Sequence, residues 1–160
     1  MRTPLICVLA ALVSGCTDPP RSFGDLVTDP DVPPRGEGDI DDWIDAGHYL
    51  SWRCEAAPVD VRFGSPHRPQ TRTCNNVKLP TTGSGELPID SASVKEMYDD
   101  VGQIKGFGVS RKVTAGGADG WYWYEKINGS VRADDMGPPA GSCSGCHVDA
   151  TRDFTYVIVP

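Results

Sequence analysis

Residues 39–52, DIDDWIDAGHYLSW, place Ile40, Trp43, Ile44, Gly47 and Leu50 at spacings of three and four, the period of a helix with one apolar face. Beyond Cys74 the period shortens to two. SASVKEMYD (91–99) alternates, with Val94 and Met97 near its middle, and GFGVSRKV (106–113) is short and holds β-branched residues. GWYWYEKI (120–127) sets Trp121 and Trp123 on one face and Tyr122 and Tyr124 on the other, and DFTYVIV (153–159) is again β-branched and aromatic. TAGGADG and INGS between these runs are turn material. The pattern predicts a mainly β (α+β) domain: an antiparallel sheet with one or two helices packed on it.

The N-terminal pattern is of another kind. MRTPLICVLAALVSGC has one basic residue, an apolar run over 5–13, then Ser14 and Gly15 before Cys16, the layout of a bacterial secretion signal over residues 1–15. Val-Ser-Gly-Cys at 13–16 resembles a lipobox, which makes Cys16 the acylated first residue of a lipoprotein. The alternatives are a signal cut elsewhere and an uncleaved anchor, and the run is too short to span a bilayer. Residues 16–39, rich in Pro, Gly and Asp, read as a disordered tether, leaving 40–160 as the folded domain. The formal charge of −7 argues against nucleic acid or an anionic membrane surface as a partner, so attachment to the membrane falls to the lipid alone. The expected location is the cell envelope of a Gram-negative bacterium, facing the periplasm or the cell surface.

Six cysteines divide by position. Cys7 lies in the signal, Cys16 takes the lipid, and Cys143 and Cys146 belong to one motif. Cys54 and Cys74 remain; in an oxidising compartment they read as a disulfide, worth about 3 kcal/mol in the chain-entropy model, against the alternative of two buried thiols.

Cys143-Ser-Gly-Cys-His147 is C-x-x-C-H, the attachment signature of c-type haem: two thiols form thioethers and the adjacent histidine becomes the axial ligand of the iron. A zinc site would want a second ligand pair, and a redox C-x-x-C would open a helix after a strand, whereas a loop, DDMGPPAGS, precedes Cys143. The residues after His147 contain neither Met nor His, so a sixth ligand has to come from upstream, from His48, His67, Met97 or Met136. His48 reads as a helix flank, His67 sits among turn residues, Met97 lies in a predicted strand and Met136 in a predicted loop. An open iron is the favoured expectation.

The order SPHRPQTRTCNN, SASVKEMYD, GFGVSRKV, DGWYWYEKI, CSGCH, RDFTYVIV resembles the cytochrome P-460 family, to which the β-sheet cytochromes c′ are related. The resemblance covers residues 52–160, and Val-Lys-Glu in a strand combined with a C-terminal C-x-x-C-H is its most selective part. It implies one covalent haem c per chain, an often dimeric protein with five-coordinate iron, a redox partner protein, and a site that oxidises hydroxylamine or binds nitric oxide. It further implies that Lys95 is the lysine joined to the porphyrin edge and that Arg72 is the distal arginine. Asp90-Ser91-Ala92-Ser93 stands where the family has Gly-Thr before the lysine strand, and the family's distal carboxylate has no match readable from the sequence. Read without the resemblance, Lys95 and Arg72 are solvated side chains and the four aromatics of WYWY are core. Two other functions stay open: an electron-transfer cytochrome with a sixth ligand, and a gas-binding haem protein without turnover.

Overall fold

The computed structural model describes residues 31–137 and 143–160; the expected signal, Cys16 and the first part of the tether lie outside them. The helical stripe begins as expected but is cut short. Helix α1 spans Glu37–Asp45, after which Gly47 adopts φ 72 and the chain makes a single 3₁₀ turn, His48–Ser51. This left-handed step, which glycine takes without a Cβ penalty, shifts the apolar phase. Tyr49 and Trp52 enter the core and Leu50 is left 60% exposed.

Among the described residues seven strands follow: β1 Arg53–Cys54, β2 Val59–Asp60, β3 Gln70–Asn75, β4 Ala92–Tyr98, β5 Ile104–Lys112, β6 Trp121–Ile127 and β7 Ser130–Met136. They form one antiparallel sheet in the order β1-β3-β4-β5-β6-β7, with β2 also on β3. The β6–β7 hairpin turns at Asn128 and Gly129, both at positive φ, as a two-residue hairpin loop requires. Four of the strands, β1, β2, β3 and β7, were not expected as such. The polar sequence of β7 fits an edge strand with a solvated face, and it makes Met136 a strand end rather than a loop residue.

Alternation assigns the faces. Cys74, Val94, Val109 and Tyr124 stand side by side across four strands, and Ile40, Trp43 and Ile44 of α1 pack on them as the main core. Cys54 lies directly opposite Cys74 in the ladder and is joined to it in a disulfide. On the other face Trp121 and Trp123 pack with Leu79, Leu87 and Ala133, and this smaller cluster covers only part of the sheet. The expected split of the WYWY run between two faces is therefore observed.

The folded chain reaches further back than Ile40. Val32 is 7% exposed, Arg111 Nη1 donates to the Pro33 carbonyl at 2.8 Å, and the Gly36 amide donates to the Tyr122 hydroxyl at 3.0 Å. Residues 16–30 of the expected tether lie outside the described residues, while its last part is packed against the domain.

The expected final strand over 153–159 is absent. Asp153 and Phe154 have positive φ, and the segment crosses the second face with one isolated bridge, Arg152 to Thr155. The cause is a buried anchor: the Lys112 ammonium, 0% exposed, pairs with Asp153 at 3.1 Å and Glu86 at 2.8 Å and lies 5.4 Å from the Trp121 ring centroid. Asp153 also accepts from the Leu87 amide at 2.8 Å. Removing one partner of a buried pair leaves the other uncompensated, so Lys112→Met is expected to destabilise the fold by about 3–5 kcal/mol. Urea titration checks this; a loss below about 1 kcal/mol, the size of an exposed pair, would show that the anchor is not needed.

Candidate functional site

The uncovered part of the second face is floored by two rows in which small residues alternate with a few long polar or aromatic ones. Thr73, Lys95, Gly108, Glu125 and Ala133 are in register across β3 to β7, with Asn75, Ser93, Ser110 and Trp123 as the next row. Gly108 adds to the depth: a Cβ there would make only ordinary contacts, at 3.9 Å to Lys95 and Tyr124. Residues 59–67 form one wall and residues 143–157 contribute another, enclosing a cavity of about 770 Å³. That volume lies in the range of small-molecule and cofactor sites.

Cys143, Cys146 and His147 line this cavity together, on the five-residue helix α2, Cys143–His147. Neither thiol is in a disulfide; Cys143 is half-buried and Cys146 exposed. The His147 ring is held on three sides. Its Nδ1–H donates to the Phe154 carbonyl at 2.7 Å, and Trp123 and Tyr156 meet it edge-on at centroid distances of 4.8 and 5.1 Å. Tyr156 is itself fixed through its hydroxyl, which donates to the Cys146 carbonyl at 2.5 Å. Burial pushes the imidazole down to about 4, so it is neutral near pH 7, and the Nδ1–H bond leaves the Nε2 lone pair for a metal. The irregular 153–159 segment supplies both the accepting carbonyl and Tyr156, which a regular strand in the ladder would not place here.

The floor carries a polar chain. Lys95 Nζ is 3.3 Å from His67 Nδ1, and His67 Nε2 is 2.8 Å from Glu125 Oε2. With the lysine donating to Nδ1 and the Nε2–H donating to the carboxylate, both ring nitrogens of His67 are engaged. Burial holds the Lys95 ammonium below its ordinary range, with Glu125 opposing the shift. His67 and Glu125 are 58 residues apart in sequence, and only the register of β4, β5 and β6 puts Glu125 on Lys95's face.

Arg72 is a correction. It pairs with Glu96 across β3 and β4, one position out of phase with Thr73 and Lys95, and so lies on the opposite face. There its Nη1 contacts both Glu96 carboxylate oxygens at 3.3 Å and its Nε donates to the Glu55 carbonyl at 2.9 Å. It does not line the cavity. Among the upstream candidates for a sixth ligand, His48 stacks on Trp43 against the main core, Met97 is fully buried, and Met136 packs against the main core. Among the described residues His67 alone of the four reaches the cavity.

Two side-chain atoms at this floor are buried without a hydrogen-bond partner, Thr73 Oγ1 and Trp123 Nε1. A third such atom among the described residues, Trp52 Nε1, lies in the main core, so unpaired buried polar atoms are not confined to the cavity wall. No group of three His, Cys, Asp or Glu side chains is assembled among the described residues, so the zinc reading of C-x-x-C-H finds no further ligands. A scan against protein-family models, a search of curated proteins and a search of solved structures each returned no match.

Proposed function

We propose that the cavity would hold one c-type haem, attached through Cys143 and Cys146 with His147 as a ligand to its iron, and that the site would bind or oxidise small nitrogen compounds such as hydroxylamine or nitric oxide. One observation carries the reading: the C-x-x-C-H thiols and an imidazole with its Nε2 left available line the same apolar-walled cavity as Lys95, His67 and Glu125. The residues present fit the group. The thiols would supply the two attachment points, the Phe154 carbonyl and the Trp123 and Tyr156 rings orient the ligand imidazole, and Thr73, Ser93 and Gly108 leave room above the floor.

Haem, when bound, supplies a Lewis-acid iron that takes the nitrogen ligand and exchanges electrons. This chain's residues do the rest. His147, neutral and fixed in one tautomer, offers Nε2 without a competing proton. Lys95, His67 and Glu125 present a donor and acceptor chain at the floor, able to hold a small ligand's hydroxyl or take up its proton. Lys95, by the resemblance to cytochrome P-460, is the side chain joined to the porphyrin edge. The covalent bond and the exported, lipid-anchored setting belong together, since c-type haem is attached outside the cytoplasm.

An electron-transfer function needs a sixth ligand. His67 is the candidate within reach, and both of its nitrogens are committed to Lys95 and Glu125, which favours the open iron. The test is steady-state oxidation of hydroxylamine by haem-loaded protein with an added one-electron acceptor. Turnover is the expected result; tight nitric oxide binding with no turnover would move the function to gas binding.

A further inference from the structure

The chain from Val59 to His67 is unusual in that each of its nine residues lines the cavity. It starts as β2, paired to β3 only through Val59–Thr71 and Asp60–Gln70, and then runs free of the sheet. Its other hydrogen bonds stay near its own two ends: the Gln70 side-chain amide to Asp60 Oδ1 at 2.8 Å, the Val61 amide to the Pro69 carbonyl at 2.9 Å, the Ser65 amide to the Arg62 carbonyl at 3.3 Å, and the His67 amide to the Ser65 hydroxyl at 3.2 Å. Gly64, at φ +88 with nothing near its Cβ direction, forms an open tip, and neighbouring Phe63 is 92% exposed. Across the cavity, Arg62 lies over the Tyr156 ring at 5.7 Å. Among the described residues, only His67 gives this strap hydrogen bonds to the floor, through Glu125 and Lys95.

We propose that His67 is a specificity-determining residue that latches the strap over the cavity and so restricts, by size, which ligands reach the distal side. The size selection rests on the haem reading; the latch itself does not. The bond to the Glu125 carboxylate is charge-assisted, the stronger kind, and it ties a segment with few other long-range bonds. Without it, Lys95 and Glu125 can pair with each other and the strap loses its hold on the floor. The prediction concerns access: a diatomic ligand can pass a closed strap, while a ring has to wait for an opening.

The experiment compares His67→Ala, His67→Gln and the parent, each full-length and matured with haem. Hydrogen exchange over residues 59–67 and the binding rates of cyanide and imidazole to the ferric protein are measured. Losing a hydrogen bond to a charged group is expected to raise the open population about tenfold or more in the alanine variant. Strap exchange rises accordingly, and imidazole association rises relative to cyanide association, since loss of the His67 ring as a hydrogen-bonding group acts on both ligands and only the opening of the strap favours the larger one. The glutamine amide, which can accept from Lys95 and donate to Glu125, restores both readouts in part. Unchanged exchange over 59–67 overturns the latch, and an equal rise for both ligands overturns the size selection. Protein that carries no haem by intact mass refutes the functional reading instead, and exchange in the same chain still decides the latch.

Discussion

Cys143→Ser/Cys146→Ser is expected to yield a folded chain with no covalently bound haem, seen as complete loss of the haem increment in intact mass after periplasmic maturation. Among the described residues the two thiols are the only cysteines lining the cavity, and the other described pair, Cys54 and Cys74, is locked in the sheet on the other face. Serine cannot form the thioether, so attachment fails for a chemical reason. The fold has reasons to survive. Cys146 is exposed, Cys143 only edges the smaller cluster, and the His147 bond to Phe154 uses no sulfur. A double variant that unfolds would show the thiols to be structural, and one that keeps the haem mass would refute the motif's role.

The second large effect is expected at Lys95. If its amine joins the porphyrin edge, Lys95→Met removes a broad red shift of the ferrous Soret band altogether while the thioether-bound haem mass stays. The environment suits an amine that must lose its proton to react. Burial lowers the ammonium pKa, and His67 Nδ1 stands 3.3 Å away as an acceptor. The same burial predicts an opposite effect on stability. A lysine whose folded-state pKa is depressed binds its proton less tightly in the folded chain, so it destabilises the fold at neutral pH. That penalty is full below the depressed pKa and disappears as pH rises toward the unfolded value of about 10.4. Lys95→Met should therefore make the haem-free chain more resistant to urea at pH 7, by a margin that shrinks toward pH 10. Loss of stability at pH 7 would show that the lysine is retained for packing or pairing, and an unaltered Soret band would show that it is not joined to the haem.

The parts of this molecule legible in its sequence are those set by local period. GWYWYEKI reveals its two faces because both are buried against different clusters, and SASVKEMYD and GFGVSRKV fall within one or two residues of β4 and β5. DFTYVIV misleads because its composition is strand-like while Asp153, held by Lys112, forces a positive φ at its start. The site divides the same way. C-S-G-C-H and Lys95 can be read as motifs, but Glu125 reaches His67 only through the register of β4, β5 and β6 and the return of the strap. Arg72 shows the cost of missing register: a one-residue offset from Thr73 sends its side chain to the wrong face.

The most direct measurement is the absorption spectrum of the haem-loaded protein, ferric and then ferrous. A high-spin ferric spectrum with a broad, red-shifted ferrous Soret band is expected, from an iron held by His147 with an open distal side and a porphyrin joined to Lys95. Sharp low-spin bands in both states would contradict it, since they require a sixth protein ligand in the cavity and make the protein an electron carrier.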